Sequence, residues 1–283
     1  MKLKWLLIFP LLSLLVLLGG WHWLFTVPTN VQLQSDRVNA DSNVTCIQTS
    51  TTRALDKHGE FGVLIWNIQK QQNGLWRSRL DEFAEARQLV LLQEASLDPG
   101  MYHYLISAKW FWRFVNAFSV LDTPAGVMNL SRSAPLSSCG YRTLEPWLRL
   151  PKTALVAKYL LSNGTSLTVV NVHGINFSVG IEEYRQQLKS LTEALAGEKI
   201  TDPIILAGDF NTWSEERSML LAAFASSLGL NEAHFVEDNR VRVLGYPLDH
   251  LFYRGLKPKE LYVPETEVSD HNPIIANFVI AER

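Results

Sequence analysis

Short, almost uninterrupted apolar runs, each closed by a polar residue, constrain this chain more than any other feature. FGVLIW (61–66), LVLLQ (89–93), IILA (204–207), LDHLFY (248–253) and PIIANFVI (273–280) are too short for typical helices. They read as strands buried on both faces. Between them lie stretches with helical spacing. Leu75, Leu80, Phe83 and Ala84 mark one over 75–87, and Ile181, Tyr184, Leu188, Leu191 and Leu195 form a stripe over 181–195. Thr212 with Glu215 reads as a capping box opening a helix through Phe224 and Leu228. Strand–helix alternation predicts an α/β chain. Ser162-Asn163-Gly164, between the apolar runs 155–161 and 167–172, is a hairpin signal, so the sheets should be mixed rather than wholly parallel.

The first residues follow a different rule. Residues 5–27 hold no acid and no base other than His22, enough apolar chain for a helix to cross a bilayer core of ~30 Å. Lys2 and Lys4 precede the run, which predicts a cytoplasmic N-terminus, and Trp21, Trp23 and Phe25 gather at its far end, where rings favour the interface. The expectation is an uncleaved inner-membrane anchor with the remainder on the non-cytoplasmic side. A cleaved signal segment and a cytoplasmic placement are the alternatives. The chain then divides into an anchor or signal segment (1–27), a polar linker (28–57) with an edge strand around 43–48, and a catalytic domain (58–283). The two cysteines, Cys46 and Cys139, exclude a disulfide-dense scaffold. A bridge between them and two lone thiols are equally open. A net charge of −2 gives no bulk field for a polyanion, so a phosphate-bearing substrate needs local cations or a metal.

Polar residues at the strand ends carry the chemistry. Asn67 and Glu94 close two runs, Asn171 and His173 a third, and Asp209 and Asn211 follow a fourth. Asp249 opens a fifth, and Asp270 with His271 precede the last. One such residue is ordinarily a turn former. Six sites in one chain point to loops converging on one rim. Carboxylates, amides and imidazoles without HxH, HExxH or CxxC spacing suit a hard cation such as Mg²⁺ rather than zinc. No GxxxxGK loop or GxSxG elbow is present.

The ordered blocks WNI (66–68), LLQEA (91–95), NVHG (171–174), GDFN (208–211), LDHLF (248–252) and SDHNPI (269–274) resemble the endonuclease/exonuclease/phosphatase superfamily, with its DNase I-like nucleases, sphingomyelinases and inositol phosphatases. With its apolar N-terminus the chain is similar to the bacterial YafD-like branch. The resemblance implies a four-layer αββα sandwich of two mixed sheets with an N-terminal hydrophobic helix. It implies that Asn67 and Glu94, helped by Asp270, hold Mg²⁺, with Mn²⁺ an alternative. Asp249 would orient His271, Asp209 would position or deprotonate the attacking water, and Asn211 would bond a non-bridging oxygen. His173 would be a second phosphate contact or the leaving-group acid.

The implied activity is hydrolysis of a phosphodiester, in nucleic acid or a phospholipid headgroup, by an enzyme tethered to a membrane and needing no obligate protein partner. A phosphomonoesterase acting on a small molecule and a non-catalytic membrane-attached binding module are the alternatives. Where family members carry an acid before the QE pair this chain has Ala86-Arg87-Gln88-Leu89, and His250 replaces an aromatic residue. Strand alternation turns His250 away from the site, a structural role. Lys109-Trp110-Phe111-Trp112-Arg113-Phe114 could stack on bases, dip into lipid or form an ordinary buried strand. Arg142, Arg149 and Lys152 lie in a stretch that could meet substrate.

Overall fold

The apolar runs become strands whose alternate side chains serve different layers. In this computed structural model, which describes residues 20–21, 23–36, 44–50, 52–178 and 180–281, two sheets carry most of the chain. The first sheet holds β1 (Phe25–Thr26), β2 (Gln32–Ser35), β4 (Glu60–Asn67), β5 (Leu89–Ser96), β6 (Phe111–Val120), β7 (Thr123–Ser131), β16 (Leu256–Tyr262) and β17 (Ile274–Ile280). Its order is β1-β6-β7-β5-β4-β17-β16, with β2 also on β6. The second holds β3 (Cys46–Gln48), β8 (Ser137–Leu144), β9 (Pro151–Leu160), β10 (Ser166–His173), β11 (Ile204–Asp209), β12 (Asn231–Glu232) and β15 (Asp249–Arg254), in the order β12-β15-β11-β10-β9-β8-β3. A small hairpin, β13 (Arg242–Val243) with β14 (Tyr246–Pro247), precedes β15. Among the described strands only β4–β5 and β10–β11 pair in parallel, so both sheets are mixed as the turn signal predicts.

The period of two assigns each side chain to a layer. Val63, Ile65, Leu89 and Leu91 pack against Leu167, Val169, Ile205 and Ala207 of the other sheet. Their alternates Leu64, Trp66, Val90 and Leu92 meet Leu80 and Phe83 of helix Trp76–Ala84 and Met101 and Leu105 of helix Pro99–Ser107. On the far side Val170, Val172, Ile204 and Leu206 bury helices Glu182–Ala194 and Glu215–Ser227. The layers therefore run helix, sheet, sheet, helix. Each fully buried Leu, Ile or Val contributes roughly 1.5–3 kcal/mol. Trp110, Trp112 and Phe114 are buried in the first helix-covered core and β6 begins at Phe111, so the segment is a buried strand with its lead-in turn.

Two local expectations change, and the pairing of the cysteines is decided. The cap of helix Glu215–Ser227 is Ser214, whose side chain accepts from the Arg217 N–H. Thr212 instead bonds the Pro247 carbonyl and lies 2.7 Å from His250 Nε2, because Asn211 turns the backbone left-handed just before it (φ +51°). Within residues 28–57, β2 pairs with β6 and β3 with β8, so this stretch is stitched into both sheets. Cys46 and Cys139 occupy paired positions of β3 and β8 and form a disulfide across 93 residues of sequence. The anchor expected over 1–27 lies largely outside the described residues, and among those described no helix is long and apolar enough to cross a membrane. Residues 20, 21, 23 and 24 are helical and lead into β1.

Candidate active site

The C-terminal ends of β4, β5, β10 and β11 and the N-terminal end of β15 lie on one rim, as the parallel and antiparallel registers require. Asn67, Glu94, His173, Asp209 and Asp249 stand at those ends, and the loop before β17 adds His271. Asp209 is the meeting point. Its Oδ2 accepts from Asn67 Nδ2 at 3.0 Å and lies 3.6 Å from His173 Nε2 and 3.9 Å from His271 Nε2. Its Oδ1 accepts from the Asn211 backbone N–H at 2.9 Å. Two glycines permit this convergence. A Cβ on Gly208 would stand 2.1 Å from the Val172 carbonyl oxygen, and one on Gly174 2.5 Å from that of Phe210, so the GD and HG dipeptides are steric requirements.

Glu94 reaches the cleft through a bulge. The β5–β7 register shifts between Leu92 and Ala95, and Glu94 has φ +51°. Successive strand residues ordinarily face opposite ways. Here Gln93 bonds Asn171 of the second sheet at 2.6 Å, while Glu94 Oε1 comes within 3.7 Å of His173 Nε2 on that same sheet. Lys70 bonds the other Glu94 oxygen, projecting from a turn in which Gln69, Lys70 and Gln71 are all left-handed. Burial opposes a charge on Glu94, but the His173 ring and the Lys70 and Lys152 ammonium groups hold its carboxyl down at about 2. Glu94 is an anion at any pH the fold meets.

The two histidines take opposite charge states. His173 is buried, and burial together with the Lys152 ammonium pushes its pKa down to about 3 against the pull of Asp209 and Glu94. Its Nε2 lies 2.8 Å from Lys152 Nζ, so that nitrogen accepts and the ring is neutral. Burial also works against His271, yet Asp249, with Oδ2 2.7 Å from Nδ1, and then Asp209 raise it to about 10. His271 is an imidazolium whose Nε2–H points toward Asp209.

Asn67, Glu94, His173, Asp209, Asn211, Asp249 and His271 are thus brought to one cleft. Asn211 gives one N–H to the Gly174 carbonyl at 3.1 Å, tying two rim loops together. Asp270 is not brought in: it is exposed, its carboxylate contact is Ser269 Oγ at 3.4 Å, and it reaches neither Glu94 nor Asn67. His173 faces the cleft with its Nε2 taken up by Lys152, so the ring and that ammonium present themselves there as a pair. His250 lies on the outer face as expected, bonding Glu232 at 3.0 Å and stacked on Phe252. Asn171 sits behind the rim, bonded to Gln93 and Asn129. Lys70 and the bond of Lys152 to His173 were not foreseen. Both depend on backbone geometry that leaves only a lysine in the sequence.

The donor chemistry fits a hard divalent cation. Ligand atoms of Asp209, Asp249 and His271 lie within 4.8 Å of one another. However, a protonated His271 with Nδ1 on Asp249 has no lone pair to give. Glu94, anionic and paired with a displaceable Lys70, and the Asn67 amide oxygen, which now accepts only from the Gln69 N–H at 3.1 Å, are the better donors.

The chain is similar to several known proteins. A UPF0294 protein of Vibrio campbellii is 44% identical over 262 residues, 92% of each chain. Among solved structures, the endonuclease/exonuclease/phosphatase of Bacteroides vulgatus superposes with a TM-score of 0.62 at 17% identity, covering 78% of this chain and 99% of that one. The human Nocturnin catalytic domain with bound sulfate gives 0.59 at 21%, covering 82% and 97%. These likenesses show a DNase I-like fold. Residues 64–271, from the strand leading to Asn67 through His271, match the endonuclease/exonuclease/phosphatase family, and the chain belongs to it.

Proposed function

We propose that the protein is a divalent-metal-dependent phosphodiester hydrolase, tethered to a membrane by its first residues and working on the non-cytoplasmic side. The observation that carries the hydrolase is the convergence on Asp209 Oδ2 of Asn67, His173 and His271, drawn from both sheets and the last loop. Placement outside the cytoplasm is supported by the Cys46–Cys139 disulfide, a bond that persists in oxidising compartments.

In this reading Glu94 and the Asn67 amide oxygen hold the cation, Mg²⁺ by hardness or Mn²⁺ in its stead. A cation there polarises the phosphoryl group and offsets its growing charge. Asp209, held by Asn67 and the Asn211 N–H, takes a proton from water aligned with the phosphorus; the new P–O bond forms as the bond to the leaving oxygen breaks, and that oxygen departs as an alkoxide that takes its proton from solvent. Protonated His271, fixed by Asp249, donates Nε2–H to a non-bridging oxygen, and Lys152 and the free N–H of Asn211 serve a second. These donors point where charge develops in phosphoryl transfer, in a cleft whose side chains are already arranged.

The test is hydrolysis of bis-p-nitrophenyl phosphate by the full chain in detergent, with Mg²⁺, Mn²⁺ or EDTA. Metal-dependent release should fall by about 10²-fold or more in Glu94→Gln and in Asp209→Asn. Release that ignores EDTA and survives Glu94→Gln would refute the proposal. So would silence of the wild type on this substrate and on the monoester, DNA, RNA and phospholipid together.

A further inference from the structure

The exposed apolar side chains are distributed unevenly. Trp23, Leu121, Trp147, Leu148, Phe177 and Leu244 are all exposed, Trp23, Trp147 and Leu244 by 69% or more. All six lie at the rim that carries the cleft. Leu121 is in the β6–β7 turn, whose strand β7 begins beside the C-terminal end of β5. Trp147 and Leu148 are in the β8–β9 connection, which ends where β9 meets the C-terminal end of β10. Phe177 follows β10, and Leu244 tips the β13–β14 hairpin just before β15. Toward the opposite rim, among the described residues, the exposed large apolar side chains are Ile200 in a loop and Ile106 in the last turn of helix Pro99–Ser107. Monomers seldom crowd apolar tips around a polar cleft without a partner surface.

The chain also fixes where that partner lies. The apolar run of residues 5–19 reaches the described structure at Gly20, and β1 is already paired with β6 at Phe25. The Leu24 carbonyl accepts from the Leu121 N–H at 3.0 Å, and Trp21 packs on Phe25, which packs on Phe118. Arg142 then clamps the Pro28 and Thr29 carbonyls beside the β8–β9 connection. Five residues, 20–24, span at most about 18 Å even when extended. The ten residues of β6 put the opposite rim about 33 Å away. A bilayer holding residues 5–19 therefore has the cleft rim within reach and the opposite rim beyond it. Arg149 and Lys152 flank the apolar tips, a pairing of rings, aliphatic tips and cations suited to lipid headgroups.

We infer that this rim rests on the lipid surface, with Trp147 and Leu148 dipping into the headgroup layer, so that the Glu94–Asp209–His271 cleft opens onto the bilayer. Resting on the hydrolase reading above, this makes the substrate a phosphoester presented at that surface rather than one diffusing in bulk solution. The docking itself is tested without turnover.

The full chain is reconstituted into phosphatidylethanolamine–phosphatidylglycerol vesicles, with or without acyl chains brominated near the headgroup. The fluorescence of Trp147 is isolated as the difference between wild type and Trp147→Phe, and the opposite rim is reported by the added ring of Ile200→Trp. Bromine should quench the Trp147 component by about two-fold or more and leave the added tryptophan unchanged. A Trp147 component indifferent to bromolipid, or equal quenching of both reporters, would overturn the inference. Because quenching needs no catalysis, a docked but inactive protein would sink the hydrolase reading alone.

Discussion

Asp249→Asn is the most informative single change, because it removes a charge while keeping an oxygen that can accept from His271 Nδ1. In the wild type the Asp249 carboxylate, 2.7 Å away, is the largest influence opposing burial, and the ring is raised from 6.5 to about 10. At 1.36 kcal/mol per unit, that rise is worth about 5 kcal/mol of preference for the imidazolium. In the variant Asp209, at 3.9 Å, and the more weakly acting Asp270 remain to oppose burial, and the ring should titrate near 7. The alkaline limb of the pH–rate profile should move from near 10 to near 7. At pH 8.5 a ring titrating near 7 is about 3% protonated, so the lost donor should lower kcat by about 30-fold, with most of the rate restored near pH 5.5. Stability gives an independent reading. A group with a raised folded pKa contributes fully below 6.5 and loses its contribution as pH rises through about 10. The wild-type Tm should therefore decline across that interval, and the variant's should be flatter. A variant slowed equally at every pH, with its alkaline limb still near 10, would refute the assignment of the proton to His271.

Lys152→Met should let His173 titrate: its pKa, now about 3, should rise, visible as a ring NMR shift above pH 4 where the wild type shows none. Because a His held neutral in the fold but protonated when unfolded lowers stability as pH falls below 6.5, the variant should also resist acid better. Reducing the Cys46–Cys139 bridge, or substituting both cysteines by serine, should cost about 2–4 kcal/mol in denaturant titration, and reductant should leave the serine variant's midpoint unmoved. Asn171→Leu strands the Gln93 amide and the Asn129 carbonyl that it now bonds at 2.6 and 2.9 Å, and should cost about 1–3 kcal/mol by the same measurement.

The sequence announces the strands that end at the cleft, because a buried strand closed by a polar residue leaves a mark that requires no partner to read. Asn67, Asp209 and Asp249 were legible for that reason. The hairpin of β6 and β7 was not, since Leu121 and Asp122 turn the chain left-handed without a glycine (φ +46° and +66°). Lys70 was invisible for a related reason, as its reach to Glu94 rests on three consecutive left-handed residues, none of them glycine. Asp270 lies outside the ring of contacts for a different reason. Its neighbour His271 is drawn into the cleft by Asp249, and one residue of backbone suffices to leave Asp270 facing solvent.

The placement of Glu94 against His173 and Asp209 depends on how the two sheets are registered, and apolar packing alone fixes that weakly. Leu, Ile and Val between flat layers tolerate small slips, because dispersion is non-directional and the repacked volume is similar. The Gln93–Asn171 bond is directional and buried, and it lies one residue from Glu94 and two from His173. Asn171 Nδ2 also lies within reach of the Leu92 and Met128 carbonyls and Asn129 Oδ1, at 3.1, 3.2 and 2.9 Å, so one amide grips β5 and β7 from the opposite sheet. A slip would break several of these contacts at once inside a medium of low dielectric, where each is costly to lose. The polar seam behind the rim is therefore what converts two packed sheets into a cleft of fixed dimensions. The charge pattern of Lys70, Glu94, His173 and Asp209 follows from those dimensions, since shifts of this size require the groups to be held within a few ångströms of one another.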